Sequence, residues 1–167
     1  MNREETNDMM KSLLPAAILA GALTAAPVAF AANTDTTAME GTYLLVQPNE
    51  SQRLLALNPG GSVSLVSQGQ QVRGYTSGLG TWEMTGPDSA RAAIIDFNDP
   101  ARESDSNGAS QIVYELSFSG ENNGRFESVT GSFTGKAYAK GQNPLADDAE
   151  PNRRFANRFD GTRLTVN

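Results

Sequence analysis

The sequence predicts an all-β domain, an antiparallel meander closing into a small barrel of about eight strands. Three observations predict it. Short apolar runs recur from Gly41 to Val166, and Pro, Gly and Asn cut them apart. Gln111 to Ser119 alternates cleanly, with Ile112, Tyr114, Leu116 and Phe118 on one face and Val113, Glu115, Ser117 and Ser119 on the other. No stretch beyond residue 41 has the period of a long amphipathic helix. Sequential strands with local connections favour a closed barrel, which leaves no open edges. A two-sheet β-sandwich is the alternative.

The chain opens with an address. Lys11 precedes an apolar run from Leu13 to Val28, and Ala29-Phe30-Ala31 is a small-x-small site open to signal peptidase. Residues 1–31 therefore read as a secretory signal peptide. Pro15 and the shortness of the apolar run argue against a membrane-spanning helix. The n-region is oddly acidic, with Glu4, Glu5 and Asp8 against Arg3. Starting at Met9 or Met10 instead gives an ordinary basic n-region, so we expect the true start there. Residues 32–40 are small and polar and read as a disordered stub. Residues 41–167 then form the single folded domain.

Within that domain the strands follow in order. Gly41 to Val46 ends at Pro48-Asn49, and Arg53 to Leu57 ends at Asn58-Pro59-Gly60-Gly61. There Pro59 pre-sets one turn dihedral and the glycines take positive φ. Ser62 to Ser67 follows, then a Gln/Gly stretch. Leu79 to Met84 ends at Gly86-Pro87-Asp88. Ala90 to Phe97 is nearly continuous in apolar residues, as for a strand covered on both sides or near a barrel closure. Residues 98–110 read as a long polar loop. After Gln111–Ser119, Glu121-Asn122-Asn123-Gly124 is a hairpin turn. The return strand runs from Arg125 toward Tyr138, and Gly131 and Gly135 flank Phe133 as bend or close-approach positions. Residues 143–159 read as a charged loop carrying a short helix, because Phe155 and Phe159 lie four apart. Gly161 to Val166 reads as the last strand.

Composition removes several function classes. The chain has no cysteine and no histidine. Neither a disulfide nor a lipid-anchoring cysteine is available. Ser-His-Asp and Cys-His catalysis are excluded within the chain, as are the two best ligands for transition metals. Beyond residue 31 there are 11 basic and 16 acidic residues, a net charge of −5. That balance argues against nucleic-acid binding. Asp147-Asp148-x-Glu150 lacks the spacing and glycine of a calcium loop and reads as a solvated charged segment. No metal and no cofactor are expected.

Three Gly-Thr pairs open strands: Gly41-Thr42-Tyr43, Gly80-Thr81-Trp82 and Gly161-Thr162-Arg163. On these residues the chain resembles the calycins, the group of lipocalins and their relatives. That group begins its first strand with Gly-x-Trp and packs a late Arg over the indole at the barrel base. Here Tyr43 stands where the Trp is expected, and Arg163 is the counterpart of the late Arg. The Thr-Asp-Tyr-like second motif of the group is missing. The resemblance implies a barrel over residues 41–166, Tyr43 and Arg163 as its closure, and an interior that encloses a ligand.

Trp82, Tyr114, Phe118, Phe126 and Phe133 are the candidate ligand-contacting residues. The last four are expected to form one aromatic cluster across the hairpin, either filling the interior or lining a cavity. No catalytic residue is assigned. Among carboxylates, Asp96 sits in an apolar run and reads as a strand-end residue, while Glu115 lies on a polar face. The leading expectation is an exported barrel, in the periplasm or outside the cell, that binds a small apolar or amphipathic molecule and has no stable membrane insertion after processing. Two alternatives stand beside it. One is a filled-core interaction module acting through its loops on an unknown protein partner. The other is a cofactor-free isomerase or cyclase using a buried carboxylate.

Overall fold

The computed structural model describes residues 36–98 and 108–166. The leader read over 1–31 and most of the loop read over 98–110 lie outside the described residues. Eight strands form one closed barrel: β1 Gly41–Val46, β2 Gln52–Leu57, β3 Ser62–Ser67, β4 Gly78–Gly86, β5 Ser89–Phe97, β6 Ala109–Asn122, β7 Arg125–Tyr138 and β8 Arg153–Arg163. Each pairs antiparallel with the next, and β8 returns to pair with β1. The meander and the barrel are as expected, and the sandwich is not formed. No helix of the described residues is long and apolar enough to cross a membrane.

Alternation sets the wall. Tyr43 and Leu45, Leu55 and Leu57, Val63 and Leu65, and Ala90, Ala92 and Ile94 all point inward and are buried. So do Ile112, Tyr114, Leu116 and Phe118 of β6 and Val129 and Phe133 of β7. The two longest strands, β6 and β7, meet at a turn in which Asn122 pairs with Arg125. Asn123 and Gly124 have φ of 51° and 73° there. Positive φ at both positions marks the type I′ two-residue turn, a conformation that Asn tolerates and Gly adopts freely. Gly131 and Gly135 of β7 face Phe159 and Phe155 across the β7–β8 ladder. A β-carbon at either glycine would collide with the facing ring, so the missing side chains make room for aromatics from β8.

Three local expectations differ from the structure, and one segment to which no element was assigned forms a short helix. Residues 153–160 are not part of a helix-bearing loop but the first eight of the eleven residues of β8. A spacing of four fits one helical turn, and it also fits two steps of a strand, so Phe155 and Phe159 share the inward face either way. β5 is not covered on both sides. Arg91 and Ala93 face solvent and Phe97 is 58% exposed, so its continuous look came from apolar residues on the outer wall. The Gln/Gly stretch holds a one-turn helix, α1 Gln70–Arg73, between Gly69 and Gly74. Finally, Thr36 to Glu40, the part of the expected stub that is described, is an ordered turn in which Met39 is 1% exposed.

Candidate functional site

The two ends of the barrel differ. One end, at the start of β1 and the end of β8, is plugged by the Thr36–Glu40 turn. Arg163 ties it down. Its Nε donates to the Phe126 carbonyl, Nη1 to the Glu40 carbonyl, and Nη2 to the Ala38 carbonyl at 2.8 Å and the Tyr43 hydroxyl at 2.6 Å. The guanidinium also lies 4.8 Å from the Tyr43 ring centroid. The Tyr43 hydroxyl in turn donates to the Met39 carbonyl at 2.9 Å. Burial pushes that phenol up to about 12, against the opposing pull of Arg163. Gly41 must be glycine twice over: its φ is 143°, and a β-carbon would meet the Arg163 guanidinium.

Above this plug the interior is filled. Tyr43 meets Phe118 edge-on at 5.5 Å, and Phe118 meets Phe126 at 5.7 Å. Tyr114 lies 5.3 Å from Phe133 and 5.8 Å from Phe159, and Phe133 lies 6.4 Å from Phe155. Trp82 is buried near the plugged end, its indole N–H donating to the Asn58 carbonyl at 3.0 Å. The ring contacts thus fall into two groups, Tyr43–Phe118–Phe126 and Tyr114–Phe133–Phe155–Phe159, rather than the single cluster expected, and Trp82 shares their hydrophobic core. None of the five candidates, Trp82, Tyr114, Phe118, Phe126 and Phe133, lines the cavity at the other end; Tyr114 and Phe133 touch Arg53, which does.

That cavity occupies about 510 Å³ at the opposite mouth. It lies where the inward stripe of each strand turns from apolar to polar. Arg53 begins the inward stripe of β2, Ser67 ends that of β3, Asp96 ends that of β5, Ser110 begins that of β6 and Arg153 begins that of β8. Each lines the cavity, with Ile112 and Phe155 one step deeper. Arg73 of α1, together with Tyr75 and Asn98, completes the wall. The segment after α1 is held there by an isolated bridge between Tyr75 and Asn98 and by the Thr76 amide donating to the Phe97 carbonyl at 2.8 Å.

The floor is Arg53. Its Nη1 donates to the Tyr114 hydroxyl at 2.6 Å, and its guanidinium stacks 4.2 Å over the Phe133 ring. Arg153 lies 5.4 Å from the Phe155 ring centroid, and Arg73 donates to the Ser51 hydroxyl at 3.3 Å. Asp96 is 5% exposed. Burial pushes its carboxyl up, while a hydrogen bond from Ser110 and the charge of Arg53 pull it back. Among the described residues its Oδ1 has no hydrogen-bond partner, and neither has the Asn98 Nδ2. Glu115, by contrast, is exposed on the outer wall and pairs with Arg91 at 2.9 Å.

Sequence reasoning missed most of this wall, although one signal was present. In a meander, the same end of the barrel falls at the end of odd strands and the start of even ones. Extending each inward stripe by one step toward that end gives Arg53, Ser67, Asp96, Ser110 and Arg153. Arg73 and Tyr75 come from a connection that no stripe predicts. Among the described residues, no three of His, Cys, Asp and Glu converge as a metal site. Comparison with protein-family models, with curated proteins and with solved structures gives no match for this chain.

Proposed function

We propose that the chain is an exported, calycin-like barrel that holds a small amphipathic molecule in its mouth cavity. The observation that carries this reading is the division of the interior. Aromatics fill the plugged end, while the other end keeps a pocket of about 510 Å³, within the ordinary range for small-molecule sites. The polar wall favours an amphipathic ligand over a purely apolar one, because burying the guanidiniums and Asp96 against hydrocarbon leaves their hydrogen bonds unmade. The Tyr43–Arg163 closure supports the calycin reading, and the leader over residues 1–31 supports export.

The test is native mass spectrometry on protein purified gently from the envelope fraction of its own host. A reproducible extra mass that disappears on denaturation is the expected result. A bare mass, with no ligand found by thermal-shift screening, overturns the reading and favours the interaction module. Asp96 favours a second reading, because a buried carboxyl beside an open pocket can serve as an acid or base. Turnover of a bound compound that stops in Asp96→Asn while binding persists would establish it.

A further inference from the structure

The mouth cavity has a charge balance that narrows its ligand. Three guanidiniums, of Arg53, Arg73 and Arg153, share the wall with one carboxyl, Asp96. Among the described residues, no carboxylate lies within ion-pair distance of any of the three; the hydrogen bonds of Arg53 and Arg73 go to neutral hydroxyls. An anion is therefore the complementary charge, and a lone cation would face three like charges.

The second observation is the orphaned oxygen. Asp96 is more than nine-tenths buried, lines the cavity, and has an Oδ1 without a partner. An unmade hydrogen bond at a buried group costs about 1–3 kcal/mol. A simple anion would satisfy the arginines and leave this oxygen empty. A ligand that also carries a hydroxyl or ammonium would fill it. Ile112, Phe155 and Tyr75 supply the apolar and aromatic part of the lining.

Resting on the reading of this cavity as a ligand site, we propose that it selects small organic anions bearing a hydroxyl or amino group next to the charge. Arg53, Arg73 and Arg153 face the anionic group, and Asp96 accepts from the neighbouring donor. Ligands of the hydroxy-acid or amino-acid type, with a compact aromatic or branched body, meet both demands.

Four matched probes test this by isothermal titration calorimetry on protein lacking residues 1–31: 3-phenylpropan-1-ol, 3-phenylpropanoate, 3-phenyllactate and phenylalanine. Binding of 3-phenyllactate or phenylalanine should be about tenfold tighter than 3-phenylpropanoate, as for one good hydrogen bond to a charged group. The alcohol should be weakest. Arg153→Gln should weaken all three anions and keep their order. Asp96→Val should erase the advantage of the donor-bearing probes, with circular dichroism confirming the fold. Should Asp96→Val not fold, Ser110→Ala tests the same carboxyl by removing its hydrogen bond and should alter only the donor-bearing probes. If the alcohol binds as tightly as the acids, or the plain acid as tightly as the hydroxy acid, the head-group assignment is overturned while the cavity reading stands. If no probe binds, the assignment is also overturned, and the bound mass from native protein decides the cavity reading separately.

Discussion

Arginine works differently at the two ends of this barrel. At the plugged end, Arg163 reaches four acceptors, three of them backbone carbonyls, and lies against the Tyr43 ring. It is 9% exposed. At the mouth, Arg53, Arg73 and Arg153 face a pocket, and among the described residues most of their N–H groups meet no protein acceptor. A guanidinium has five donors in a rigid fork. When the chain supplies acceptors for them, the residue is a rivet. When it does not, the residue waits for something else to supply them. The carboxyl follows the same rule: Glu115 is ion-paired with Arg91 on the outer wall, whereas Asp96, buried at the mouth, feels the charge of Arg53 and keeps one oxygen without a hydrogen bond among the described residues.

The largest expected effect breaks the plugged end. Arg163→Met keeps a long apolar stem but leaves three carbonyls and the Tyr43 hydroxyl without their donor. Loss of about 3–5 kcal/mol is expected, measured as a lower urea midpoint. A change below about 1 kcal/mol would mean that the plug is held by Met39 packing instead.

A smaller effect of opposite sign is expected at the mouth. Burial raises the Asp96 pKa from its ordinary 3.8. A group with a raised folded pKa contributes stability that is fully present below the unfolded value and is lost as pH rises through the folded one. Asp96→Asn should therefore match the wild type near pH 4 and exceed it at pH 7, by roughly 1 kcal/mol. Equal midpoints at both pH values would show that the carboxylate is well solvated where it stands.

The smallest effect on stability sharpens the contrast. Arg73→Gln removes one exposed guanidinium that, among the described residues, donates to the Ser51 hydroxyl alone, and stability to urea should move by less than about 0.5 kcal/mol. Anion binding at the mouth should weaken in the same variant. A large stability loss there would make Arg73 structural, like Arg163.

The plugged end was easier to read from sequence than the mouth. Tyr43 and Arg163 stand out because Gly-Thr pairs announce them, and the hairpin at Asn123-Gly124 carries its own turn chemistry. The strands are legible wherever one face is apolar, as in Ile112 to Phe118. Three things were not. The start of β8 is masked because Phe155 and Phe159 suit two periodicities. The mouth residues are polar, and a polar residue next to a turn reads as part of the turn, although Arg53, Asp96 and Arg153 are inward by parity. Met39 lies in a small, polar segment held in place by distant partners, Arg163, Phe126 and Tyr43, which local sequence does not announce.

That separation has a consequence for the order in which the fold can be made. Tyr43 and Arg163 stand 120 positions apart in the chain and meet directly. The β1–β8 seam is the longest-range pairing in the molecule, so it carries the greatest loop-closure cost. Until β8 is made, β1 and β7 must wait as open edges. Only when the eleven residues of β8 arrive do both edges gain partners, one on each side of the same strand. The last strand is thus a zip fastener, and a nascent chain released before it would present two sheet edges ready to pair with another copy.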